Sequence, residues 1–95
     1  MEHPGVKNYR ELRIWEAARA VKQALYDLSD QERFKREQRL YHQIREAAAS
    51  AASHMSEGYG RFEPLDHARD LKMGRASLME CQNHLVDAMD RGLIS

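Results

Sequence analysis

Cysteine is nearly absent. Cys81 stands alone among 95 residues, so the chain cannot build an internal disulfide framework or a multi-thiolate metal site. Two prolines and five glycines are too few for a disordered or collagen-like chain. Charge of one sign is not in excess, since 15 Lys and Arg balance 15 Asp and Glu. A neutral chain does not hold nucleic acid by bulk charge, so whatever it binds it binds with a local surface. No stretch approaches the ~20 apolar residues of a membrane span. The opening Met1-Glu2-His3-Pro4-Gly5 lacks the apolar core of a signal peptide. No membrane partner is therefore expected, and the expected location is cytoplasmic. Sustained two-residue alternation and Asn-Gly or Asp-Gly turns are also missing, which excludes a hairpin-built β fold. The length suits one domain, too small for separate cofactor and substrate lobes.

What is present is helical periodicity. Residues 1–8 read as a flexible lead broken by Pro4-Gly5, and a single helical-bundle domain is expected over 9–95. Leu12, Trp15, Ala18, Val21, Leu25 and Leu28 step by three and four, which predicts a helix over about 9–29. Residues 30–35 read as a polar connection with one aromatic anchor, Phe34. A second helix is expected over about 36–59. Its stripe is Leu40 or Tyr41, Ile44, Ala47, Ala48, Ala51, Ala52 and Met55, and Ala47 to Ser53 contains only Ala and Ser. Gly58 and Gly60 are its expected stop. Pro64 suits a first helical turn, and a third helix is expected over about 65–91. Its seam is Leu71, Gly74, Leu78, Cys81, Leu85 and Ala88, with Gly92 as the stop. The predicted fold is all-α, an antiparallel up-down bundle of three long helices joined by short connections. Three wide apolar faces leave a groove where a fourth helix would sit. Trp15, Leu25, Leu71 and Leu78 are expected to be partly uncovered there.

Neutrality hides a mild dipole. Residues 31–61 carry six basic and four acidic side chains, and residues 62–95 carry four and six. The densest basic cluster is Arg33, Lys35, Arg36 and Arg39, with His42 one turn later. One reading is a solvated helix start. The other is a phosphate-contacting patch, which makes these five residues the candidate nucleic-acid site. Basic residues at a helix N-terminus oppose its dipole slightly, and the first reading leaves that unexplained.

Motifs for catalysis or cofactors are lacking. A di-iron bundle needs Glu-x-x-His on two helices. The residues three before His42, His54, His67 and His84 are Arg39, Ala51, Pro64 and Cys81. No two histidines stand four apart, and a lone Cys81-x-x-His84 pair is more simply a small core residue beside a histidine. Gly58-Tyr59-Gly60 lacks the strand and third glycine of a phosphate loop. No catalytic residue, metal, cofactor or small-molecule substrate is expected. A hairpin turning near Phe62 would set residue i opposite about 124 − i. That places Arg45 level with Glu80, Ser50 level with Arg75, and Glu57 near His67 and Arg69. Ordinary interhelical salt bridges are one reading of these residues. The other points Arg75 and Glu80 into a subunit interface.

Several motifs carry a resemblance. They are Tyr9-Arg10-Glu11-Leu12-Arg13-Ile14-Trp15, Gln43-Ile44-Arg45-Glu46-Ala47-Ala48, Glu57-Gly58-Tyr59-Gly60-Arg61, Arg75-Ala76-Ser77-Leu78-Met79-Glu80 and the closing Gly92-Leu93-Ile94. Together they resemble the four-helix bundle family of 23S rRNA intervening-sequence proteins. Accessory variability proteins of diversity-generating retroelements are relatives. The likeness runs from Tyr9 to Ile94. It marks Arg45, Glu57, Gly58, Arg61, Arg75, Ser77 and Glu80 as the family-motif polar positions. The chain departs from the family at Ala52-Ser53-His54, where Pro-Ser-Asn is common, and at Gly74-Arg75-Ala76-Ser77, where Ala-Arg-Gly-Ser is common. It also stops where relatives continue into a fourth helix, which reads as a missing or truncated element.

The resemblance implies a compact helical bundle, in some members a ring-like pentamer. It also implies a nucleic-acid connection, since the genes can sit inside ribosomal RNA genes and the retroelement relatives bind nucleic acid and a reverse transcriptase. The expected function is a nonenzymatic, homo-oligomeric accessory factor that binds RNA or a nucleoprotein. The alternative is a protein-assembly module that uses the open apolar groove and has no nucleic-acid role.

Overall fold

The helical spacing of the apolar residues is realised as four helices in a computed structural model describing residues 9–60 and 63–94. They are α1 (Tyr9–Ser29), α2 (Glu32–Lys35), α3 (Gln38–Gly60) and α4 (Pro64–Asp90). No strand occurs among the described residues. The protein is all-α with three long helices, as the periodicity predicts. The lead at 1–8 and the family-motif Arg61 lie outside the described residues.

The segment around Phe34 is not a plain connection. Its four residues 32–35 close into the one-turn α2, because Phe34 is fully buried and pulls the chain against the core. The Phe34 amide donates to the Gln31 carbonyl at 2.9 Å, and the Glu37 amide donates to the Phe34 carbonyl at 2.9 Å. That second bond delays α3 to Gln38, two residues after the expected start.

The central helix is α3. Its stripe Leu40, Ile44, Ala47, Ala48, Ala51, Ala52 and Met55 is buried along its whole length. Both other long helices pack on α3, whereas no Cα of α1 comes within 8 Å of one in α4. The envelope of 43 × 26 × 19 Å is accordingly a slab, with α1 and α4 side by side on α3 and a trough between them. The α4 seam divides in two. Gly74, Cys81 and Ala88, seven apart, are buried, while Leu71, Leu78 and Leu85 are half-buried. Small side chains let α4 approach α3 closely. A Cβ on Gly74 would stand 2.6 Å from Met55 Cε.

Helix ends follow local chemistry. α4 begins with Pro64 in its first turn and Asp66 near the positive end of its dipole. It ends in a Schellman motif. Gly92 takes φ +75°, its amide donates to the Met89 carbonyl at 3.0 Å, and the Leu93 amide donates to the Ala88 carbonyl at 2.9 Å. Gly58 is not a stop. It is buried inside α3, where a Cβ would sit 3.3 Å from Asp70 Cβ on α4.

Candidate nucleic-acid interface

Arg33, Lys35, Arg36, Arg39 and His42 gather at one end of the slab, and all five are exposed. The first three lie on α2 and its C-cap, and Arg39 and His42 lie on the opening turns of α3. Burial of Phe34 turns its neighbours outward, so the anchor and the basic cluster have one cause. Arg33 packs its guanidinium 5.9 Å from the Phe34 ring centre and donates from Nε to the Leu93 carbonyl. Lys35, Arg36 and Arg39 have no carboxylate partner among the described residues. His42 stacks edge-on against Tyr41, with ring centres 5.1 Å apart. Glu37 lies within the cluster, and Arg91 from the end of α4 holds its carboxylate at 3.4 Å. That pairing screens the acidic residue and leaves the cations facing water.

The family-motif positions divide among other tasks. Arg45 does not reach toward Glu80. Its guanidinium lies 4.1 Å from the Tyr26 ring centre and 5.1 Å from that of Tyr41. It donates to Ser29 Oγ and Asp30 Oδ1, both at 3.0 Å. The helical face carrying Arg45 turns to α1, not α4, which is why the expected pair fails. Ser77 meets Ser50 at 2.9 Å, so Ser50 pairs two residues along from the expected Arg75. Gly58 gives its carbonyl to His67 Nδ1 at 2.6 Å. Glu57 is exposed and stands beside His54 and Asp70. Arg75 and Glu80 are both exposed on α4, and Glu80 does not line the trough that Arg75 borders.

Two concave surfaces flank α1. The trough between α1 and α4 holds about 410 Å³ and is lined by Val21, Ala24, Leu25, Leu78, Met79 and Leu85, with Arg75 on its rim. A second hollow of about 580 Å³ between α1 and α3 is lined by Trp15, Arg19, Lys22, Ala52 and Ser53. The four residues expected in one open groove are only partly together. Leu78 and the buried Leu25 line the trough, Trp15 lines the opposite hollow, and Leu71 lies against Gly58 of α3. The Arg19 guanidinium sits 5.0 Å over the Trp15 ring, an aromatic and cationic pairing the periodicity did not single out. Its i, i+4 spacing was the available signal. Cys81 lies beneath the trough. Burial first, and then the Glu80 carboxylate, push its thiol up, so it stays protonated and is a poor nucleophile at neutral pH.

A family model described as 23S rRNA-intervening sequence protein matches residues 10–95. The chain belongs to this family. Comparison with curated proteins and with solved structures gave no match. The matched span takes in all of α2, α3 and α4 and nearly all of α1, so the basic end and the trough both fall within the 23S rRNA intervening-sequence protein region. No helix among the described residues is long and apolar enough to cross a membrane.

Proposed function

We propose that this protein is a nonenzymatic accessory factor that binds RNA or a nucleoprotein and acts in the cytoplasm as a homo-oligomer. A ring such as a pentamer is the form the family resemblance favours. The observation that carries the reading is the exposed set Lys35, Arg36 and Arg39 at one end of the slab, without carboxylate partners among the described residues. Phosphate binding needs cations that are not already neutralised, and their repetition around an oligomer gives a neutral chain a positive surface. The protonated Cys81 thiol and the lack of any catalytic motif support the nonenzymatic part.

A second reading rests on the trough. Its lining is largely apolar, and the partly exposed Val21, Met79 and Leu85 suit the helix of a second copy better than water. In that reading the protein is an assembly module without a nucleic-acid role. Molar mass by light scattering, at low and high salt and with and without a ribosomal RNA fragment, separates the two. The first reading expects an oligomer at both salts that carries RNA only at low salt. An oligomer that carries no RNA at low salt supports the second reading. A monomer under all conditions contradicts both.

A further inference from the structure

His54, Glu57 and Asp70 meet at the end of the bundle away from the basic cluster. His54 and Glu57 are three apart on α3 and share a face. Asp70 reaches them from the second turn of α4 and is itself buried, with 5% of its surface exposed. One imidazole nitrogen and one oxygen from each carboxylate all lie within 4.8 Å of one another. An independent observation singles out His54. Its Nδ1 is shielded from solvent and has no hydrogen-bond partner. The Asp70 Oδ1 stands 3.8 Å away, within ion-pair range but beyond hydrogen-bond length. A shielded imidazole nitrogen without a hydrogen bond, standing 3.8 Å from a carboxylate oxygen, leaves room for an ion between them.

We propose that His54, Glu57 and Asp70 form a site for a divalent first-row transition-metal ion, of which Zn2+ fits best. Two ligands of one tetrahedral zinc, each about 2.1 Å from it, stand about 3.4 Å apart. The His54–Asp70 separation is within half an ångström of that. Glu57, exposed and free to rotate, closes the third position, and solvent at the exposed edge supplies the fourth. The donor set excludes the hard cations, because Ca2+ and Mg2+ take oxygen ligands and gain little from imidazole. The site clamps α3 to α4, so occupancy stabilises the hairpin.

The test uses the full chain, stripped with a chelator and titrated with Zn2+ by calorimetry. Co2+ absorption reports the coordination sphere, and thermal unfolding reports the clamp. One Zn2+ per chain is expected, with a raised Tm. His54→Asn and Glu57→Gln each weaken binding at least tenfold and remove the Tm gain, while the metal-free Tm of Glu57→Gln stays that of the unaltered protein. Glu57 is exposed, so this variant does not depend on core integrity. Two results overturn the proposal. One is no saturable binding at millimolar Zn2+. The other is unchanged affinity in both variants, which assigns the binding to other histidines such as His42 or His67.

Discussion

Arg45 joins two helices through five contacts. It lies against the rings of Tyr26 and Tyr41, and it donates to the Tyr26 carbonyl, to Ser29 and to Asp30. Ser29 is fully buried, so its hydroxyl needs this network. Arg45→Ala removes charge-assisted hydrogen bonds worth about 2 kcal/mol together. The expected drop in Tm is roughly 8–16 °C for a domain of this size, read by thermal unfolding. Arg45→Lys recovers little, because a compact, strongly hydrated ammonium does not pack against two rings as a guanidinium does. The importance of Arg45 was legible from its motif position, but its partner was not. One residue is 100° of helical rotation, so a side chain beside a stripe faces either neighbour until the packing is known. The same ambiguity hid the group at His54. The spacing of His54 and Glu57 is visible in the chain, and the 124 − i rule sets 54 opposite 70. The convergence becomes evident only when Asp70 is buried against α3.

At the scale of elements, the long helices were legible because each repeats its apolar period over more than four turns. The α3 stripe is buried residue for residue as its spacing implies. α2 was not legible, since four residues show no period. Only its anchor was, and burial of Phe34 both makes the turn and displays the basic cluster. Phe34→Ala should lower stability by about 3–4 kcal/mol through the cavity left behind. It should also loosen α2, measurable as faster amide hydrogen exchange over 32–37. Exchange unchanged there would mean that backbone bonds alone hold the turn. The α4 seam shows a second limit of pattern reading. Its small and large members alternate along the helix, yet they face different neighbours. The small ones meet α3, and Leu78 and Leu85 border the trough.

At the scale of the whole molecule, zero net charge conceals a separation of surfaces. The cations of α2 and early α3 occupy one end, and His54, Glu57 and Asp70 occupy the other. About 15 residues of α3, or roughly 22 Å of helix, lie between them. The apolar trough runs alongside. The nucleic acid and the second copy proposed above would therefore occupy different faces. Charge balance argues against a monomer acting by bulk attraction, and Lys35, Arg36 and Arg39 form an exposed local group of cations within a neutral chain. The most direct test is RNA affinity against salt, by fluorescence anisotropy, for the unaltered protein and for a Lys35→Ala, Arg36→Ala, Arg39→Ala variant. With four phosphate contacts per chain, affinity should fall about 50-fold between 50 and 200 mM salt, and the triple variant should flatten the log–log slope by about 2. An affinity indifferent to salt, or a triple variant with the slope of the unaltered protein, would contradict the assignment of RNA binding to this end of the molecule.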